Sequence, residues 1–446
     1  MYPLKATGKT GIASTACIAA SLLFAAGCTG GGDKGNEQAG GKTETPPAVT
    51  QPEPVQLTML GSVTKEKFME EDGPALKKKF PHITIDYYLL GTKDDTGGGQ
   101  VTLESALATR MQVDLMAVGL SNIGKQLVDT KLAYDISELI KKHGYNLNIL
   151  YQQSITAQKS VTGGALYGLP VNRSAHKIYY NKDLFDKFGE KYPKDGLTWD
   201  ETYEIAKKMT RNEGGVQYLG AVIDYRHMML VNQLSIGMVD PVSHQSLFVK
   251  EPKWQRFVSN LVRFQQIPGN EANVATAFTK EGRAAMYIAS TDLNGTWTGI
   301  NWDIAKAPTF ADLPGVGSSI HGTITAVTST SKHKDEAFQV VAYLASEENM
   351  LNMARRGTLS VLNDPKAKSE FGKNIPWLNG KTIHAEAMFP DKLAEPYTPT
   401  PYDAVAQAAL VKEMTNLATG KTADVNTALR VAAEEADKAI AAQKGK

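Results

Sequence analysis

Leu166-Tyr-Gly-Leu-Pro-Val-Asn-Arg-Ser-Ala-His-Lys-Ile-Tyr-Tyr-Asn-Lys-Asp-Leu-Phe-Asp-Lys-Phe188 is the stretch on which the reading of this chain turns. Tyr167 to Val171 is a short apolar piece, and Pro170 within it has no N–H for a ladder and biases Leu169 towards extended backbone. Ala175, Lys177 and Tyr179 then alternate with His176, Ile178 and Tyr180, a β-type run ending at Asn181, after which the pattern turns helical. The stretch reads as chain leaving one domain, crossing in extended form, and starting the first strand and helix of another.

Working outward, strand and helix patterns alternate along the body. Val55 to Leu60 forms a strand, a helix runs from about Thr64 to Phe80, and Ile83 to Leu90 is a second strand. Thr102 to Met111 is helical, Val113 to Val118 is a buried-type strand, and helices follow from Ser121 and from Tyr134. Beyond the crossing, Thr198-Trp199-Asp200-Glu201 is a capping box opening a helix through Arg211. Further helical patterns cover Met228 to Leu234, Trp254 to Gln266 and Asn273 to Lys280. Strands follow at Ala284 to Ala289, Ile304 to Pro308 and Thr323 to Thr328. Lys334 to Ala345 and Glu347 to Arg355 are helices, and a final pair spans about Ala404 to Ala418 and Asp424 to Ala441. Such alternation predicts α/β layers with a largely parallel sheet, and roughly 390 residues beyond the first 54 suffice for two domains.

Four segments, in order, carry a resemblance. The crossing resembles the "YG(L/I)P…(L/I)YYNKD(L/I)F" pattern of extracellular solute-binding proteins of ABC importers, in the maltose-binding-protein-like family. Phe278 to Ile288 is similar to that family's "F..GKAAM.." strand, Asn301 to Phe310 to its "(D/N)(W/Y)G(I/V)…P" strand, and Lys334 to Glu348 to its "K.EAA.EF..FL.S.E" helix. The resemblance implies an α/β, two-lobe periplasmic-binding-protein-like fold whose lobes close over a solute about a hinge. On that reading residues 55–171 and 324–370 form one lobe, and 172–323 with 371–446 the other.

Lys5 and Lys9 precede an apolar, small-residue run to Gly27, the marks of a secretory signal. The run is too short and too rich in Ala, Ser and Thr for a good membrane span. Ala25-Ala26-Gly27-Cys28 resembles a bacterial lipobox, with Ala25 where the pattern usually has Leu. Residues 1–27 are then a lipoprotein signal and Cys28 the lipidation site; plain secretion with cleavage near Ala25 is the alternative. Residues 28–54, Gly-, Lys-, Thr- and Pro-rich, read as a flexible tether. The expected location is the extracellular face of the cell membrane, held by the lipid anchor. Cys17 and Cys28, the two cysteines of the chain, both lie at or before the cut. The mature body therefore carries no disulfide and no thiolate metal site. A net charge of +1 offers no basic field for nucleic acid.

No nucleophile elbow, zinc-protease helix or phosphate loop occurs, so an enzyme is not expected, nor any cofactor or metal. Ligands of open α/β sheets sit beyond the carboxyl ends of strands, which nominates Ser62, Ser121 with Asn122, Asn172, Arg173 and Ser174, and Asp224, Tyr225 and Arg226. Asp292, Trp297 and His321 follow, with Tyr397 and Tyr402 in a Pro-rich loop. Arg173 has an alternative as a partner for a carboxylate of the other lobe, and His176 reads as packed or exposed. Sugar binding needs an aromatic face and planar polar groups. The family often places a Trp where this chain has Asp292, so Trp297, Tyr397 or Tyr402 is expected to supply the face. The expected ligand is a carbohydrate, in particular an oligosaccharide, passed by a monomer to an ABC permease. The alternative is a surface lipoprotein binding a peptide or other polar solute without a transporter.

Overall fold

The computed structural model describes residues 52–91, 100–290, 293, 297, 299–375, 378 and 382–444. Thirteen strands follow one another: β1 Val55–Gly61, β2 Ile83–Gly91, β3 Gln100–Thr102, β4 Leu115–Gly119, β5 Gly168–Pro170, β6 Lys177–Asn181 and β7 Arg211–Glu213. Then come β8 Val216–Ile223, β9 Ala284–Ala289, β10 Trp302–Lys306, β11 Val316–Ser319, β12 Thr323–Val327 and β13 Lys392–Ala394. They build a six-stranded sheet ordered β3-β2-β1-β4-β12-β5, a five-stranded sheet ordered β10-β6-β9-β8-β7, and a β11-β13 pair.

The first sheet is the parallel one the alternation predicts, with β12 antiparallel to its neighbours β4 and β5. In the second, β8 and β9 run parallel and the other pairs are antiparallel. β7 and β8 are joined by a tight turn at Gly214-Gly215. β6, β8 and β9 are separated by long excursions through several helices, so the alternation misreads the sheet's direction.

Each sheet is covered on both faces. On the first, Leu57, Met59 and Leu115 pack with Phe338 and Val341 of helix Lys334–Leu344, while Leu60, Met116 and Val118 pack with Ile123 and Leu127 on the other face. On the second, Ile178, Ile223 and Met286 pack with Trp254, Phe257 and Leu410, and Tyr179, Val222 and Tyr287 pack with Phe278 and Met388. β6 and β9 are wholly buried, so both faces of these strands are packed despite Lys177 and Asn181 in β6.

The helix expected over Thr64 to Phe80 is two, Lys65–Glu71 and Gly73–Lys79. Pro74 lacks the N–H an unbroken helix would need and instead sits in the first turn of the second. Helix Trp199–Met209 carries the predicted capping box: Thr198 Oγ1 accepts from Glu201 N (3.2 Å), and Glu201 accepts from Thr198 N (2.8 Å).

Register sets which strand ends meet. The ends of β1, β4 and β5 and the start of β12 share one rim of the first sheet. The ends of β8 and β9 and the start of β6 share one rim of the second. The chain passes from β5 to β6 in a few residues, at most ~3.6 Å each, so the rims border a common waist.

Candidate ligand-binding site

Three segments lie side by side in that waist. Val171 N donates to the Thr323 carbonyl (3.0 Å), Thr323 N to Asn172 Oδ1 (2.9 Å), Ser174 N to the His321 carbonyl (2.8 Å), and Arg173 N to the Leu359 carbonyl (2.9 Å). Asn172 also bridges Ser360. The approach is tight enough to demand glycine at 322, since a Cβ there would lie 2.0 Å from the Asn172 carbonyl oxygen. Asn172, Arg173, Ser174 and His321 are thus brought together, and the third strip, around Leu359 and Ser360, had no sequence signal singled out for it.

On the rim of the first sheet, Ser62 stands exposed at the end of β1. Its loop is held by Tyr87, whose hydroxyl donates to the Val63 carbonyl (2.8 Å) and whose ring stacks on Phe68 at 4.4 Å. Gly61 makes room: a Cβ there would meet the Tyr87 hydroxyl oxygen at 1.9 Å. Beside it opens a cavity of about 150 Å³ that Ser62, Asn172, Thr323, Asp72 and Arg356 help to line. Burial raises the Asp72 carboxyl above its ordinary range, and the Arg356 guanidinium, 3.4 Å away, opposes this. Ser121 is half-buried and Asn122 exposed in the turn after β4.

On the rim of the second sheet, Asp224 caps helix Tyr225–Leu230, accepting from His227 N (3.2 Å), and its other oxygen meets His227 Nδ1 at 2.7 Å. Burial pushes the Asp224 carboxyl up, but its hydrogen bonds with His227 outweigh this and it ends low; the same bond raises His227. Arg226 is exposed beside a cavity of about 380 Å³, shared with Asp224, Glu271, Asn273 and Tyr287. Tyr225 also borders that cavity, but its ring is buried in the core and its hydroxyl bonds to Gln265. Helical periodicity turns neighbours by about 100°, so Tyr225 and Arg226 cannot share a face.

His176, buried, puts Nε2 3.2 Å from the His227 carbonyl, while its Nδ1 has no partner among the described residues. Burial depresses it to about 3. His321, half-buried, is lowered to about 4 by burial and then by the charge of His227. The Asp224–His227 spacing, a cap and its third residue, was a legible signal for this pair.

Of the expected stacking faces, Trp297 is buried while Tyr397 and Tyr402 are half-buried. Trp297 is 8% exposed, its ring among Tyr179 (4.9 Å), Phe278 (5.7 Å) and Trp302 (5.8 Å). Tyr397 packs beside Gly237 and bonds to Asp403. Tyr402 lies against His244 at 5.1 Å with Lys444 over its ring. Asp292 and Cys28 lie outside the described residues.

Arg173 is the waist residue whose surroundings are least balanced. It is 4% exposed, with Tyr151 of the first lobe and Phe389 beside the second flanking its guanidinium at 5.3 and 5.6 Å. Nε and Nη1 have no hydrogen-bond partner among the described residues. Burial works against its charge, with only Tyr151 acting to hold it.

Two α/β lobes joined by adjacent extended segments, with cavities at facing rims, define a two-lobe binding protein of the periplasmic type. The chain belongs to the bacterial extracellular solute-binding protein family, whose profile matches residues 61–351. A sugar transporter of Rhizobium etli, in an open conformation, shares the fold at a TM-score of 0.68 and 21% identity, over 86% of this chain and 99% of its own. An ABC substrate-binding protein of Listeria monocytogenes in complex with cycloalternan does so at 0.67 and 16%, over 87% and 100%. Over 83 residues, 18% of this chain and 19% of the other, it is 35% identical to the sn-glycerol-3-phosphate-binding periplasmic protein of Agrobacterium fabrum.

Proposed function

We propose that this protein captures a carbohydrate between its lobes and delivers it to the permease of an ABC importer, while a lipid on Cys28 keeps it at the outer face of the membrane. The observation that carries the reading is the waist: three extended segments, around residues 171–174, 320–323 and 359–361, bonded to one another between two strand-end rims. A few such connections can absorb the backbone rotation of lobe closure, while each packed lobe moves as a body. The rims supply hydroxyls, amides and paired charges at Ser62, Ser121, Asn172, Ser174 and Asp224, the polar chemistry that orients a sugar. Sugar ligands of structurally similar proteins support the class of solute.

Trp297 and Tyr287 are buried, so an aromatic face would come from the half-buried Tyr397 or Tyr402 or from rearrangement on closure. The lobes divide near residues 171, 323 and 370: Ala367 is buried with the first sheet, and Phe371 with Tyr179 and Phe278 of the second. Thermal-shift measurement with a panel of mono- and oligosaccharides and short peptides tests the reading. A ligand at about a hundred times its dissociation constant adds ~2.7 kcal/mol of stability. A panel in which peptides shift the transition and no saccharide does would overturn it.

A further inference from the structure

We propose that the captured solute carries an anionic group, a carboxylate or a phosphate, and that Arg173 receives it at the waist. The inference deepens the solute-binding reading and rests on it. A guanidinium taken out of water requires compensation from an opposite charge or a full set of acceptors. Arg173 has neither: it is 4% exposed, forms no ion pair among the described residues, and leaves Nε and Nη1 unpartnered. Of the two flanking residues only Tyr151 offers an acceptor, its hydroxyl, and Nε and Nη1 remain free for another. The planar fork of arginine suits carboxylate and phosphate oxygens in particular.

Position favours a ligand as the source of those oxygens. Arg173 belongs to the segment that binds Leu359 on one side, and Ser174 beside it binds His321 on the other, so it sits among the strips that closure must flex. The neighbouring rim adds an exposed cation, Arg226, beside His227. Asp224, the described carboxylate nearest them, is already bonded to His227 at 2.7 Å. The waist segments themselves, residues 171–174, 320–323 and 359–361, contain no carboxylate to compete with an anion there.

The experiment is calorimetry on the full chain with matched probes: galactobiose against digalacturonate, and glycerol against sn-glycerol 3-phosphate. The acidic member of at least one pair should bind at least tenfold tighter, and the pair that responds tells carboxylate from phosphate. Arg173→Gln should bring that ratio close to one, and Arg173→Lys should restore part of it. If Arg173→Gln does not fold, raising the salt concentration with the wild-type chain should weaken the acidic probe and leave the neutral one unchanged. Equal binding of neutral and acidic saccharides would overturn the inference and leave the carbohydrate reading standing. Binding of sn-glycerol 3-phosphate alone would support the anion and remove the carbohydrate. An acid preference that survives Arg173→Gln, or silence from both acidic probes, would make Arg173 a packing cation.

Discussion

Trp297 shows how a single side chain changes meaning once its neighbours are known. Its ring is enclosed by Tyr179, Phe278, Tyr287 and Trp302 at centroid distances of 4.9 to 6.1 Å. Removing it should therefore act on folding: Trp297→Ala is expected to cost ~3–5 kcal/mol in urea unfolding. A loss of ligand affinity at unchanged stability would instead return the ring to the binding site. The waist histidines carry a second prediction. His176 and His321 are depressed to about 3 and about 4 from an ordinary 6.5. Above pH 6.5 both are neutral folded or unfolded. Below it the unfolded chain takes protons that the native state refuses, so their stabilising contribution is lost as pH falls from 6.5 towards those values. His227 is raised by Asp224 and acts in the opposite sense: its contribution is present below 6.5 and lost as pH rises through its folded value. His176→Gln should thus lose less stability than the wild type between pH 6.5 and 4, read as the difference in Tm. Parallel curves would mean that His176 titrates normally.

At the scale of elements, the waist strips are joined to one another by backbone hydrogen bonds, and Ile320, Leu359 and Val361 anchor them in the lobe cores. Gly322 is the closest approach, and Leu120 N also donates to its carbonyl (3.0 Å), tying the strip to the first lobe. Gly322→Ala forces a methyl to within 2.0 Å of the Asn172 carbonyl oxygen unless the strips part. Such overpacking should cost ~1–3 kcal/mol. Because the strain sits where the lobes join, ligand affinity should fall by more than the same substitution causes at an outer loop glycine. Wild-type stability and affinity in Gly322→Ala would show that the strips separate freely.

The whole molecule is expected to move about those strips. A saturating ligand should reduce the radius of gyration in solution scattering, and curves unchanged by ligand would argue against closure. The amino-terminal prediction belongs to the same scale, because it concerns where the body works. Cys28→Ser should leave the protein unprocessed or release it from the membrane fraction. A mature, lipid-modified variant would disprove anchoring through Cys28. On the proposed reading, lipid attachment through several chains would give firm retention where one chain gives marginal binding, and the Gly- and Pro-rich composition of residues 28–54 would suit a tether that lets the lobes reach a permease.

What the sequence determined by itself is whatever local chemistry signals. The crossing stretch announced a change of domain through Gly168, Pro170 and the alternation after them, and the structure places β5 in one sheet and β6 in the other. Thr198 and Glu201 announced a helix start, and the final helix pair, Asp403–Ala418 and Val425–Lys444, was legible from its periodicity. Caps, prolines and hydrophobic periods act within a few residues, so they survive in one dimension. Which side chains face the waist was decided only by the tertiary structure. Tyr225 and Arg226 are neighbours in sequence, yet one is buried against Gln265 and the other exposed beside a cavity. Arg173 lies between Tyr151 and Phe389, residues 22 before and 216 after it, and nothing near it in the chain foretells that its donors go unpartnered. Burial and pairing depend on what packs from distant parts of the chain, and that is a property of the fold rather than of any window of sequence.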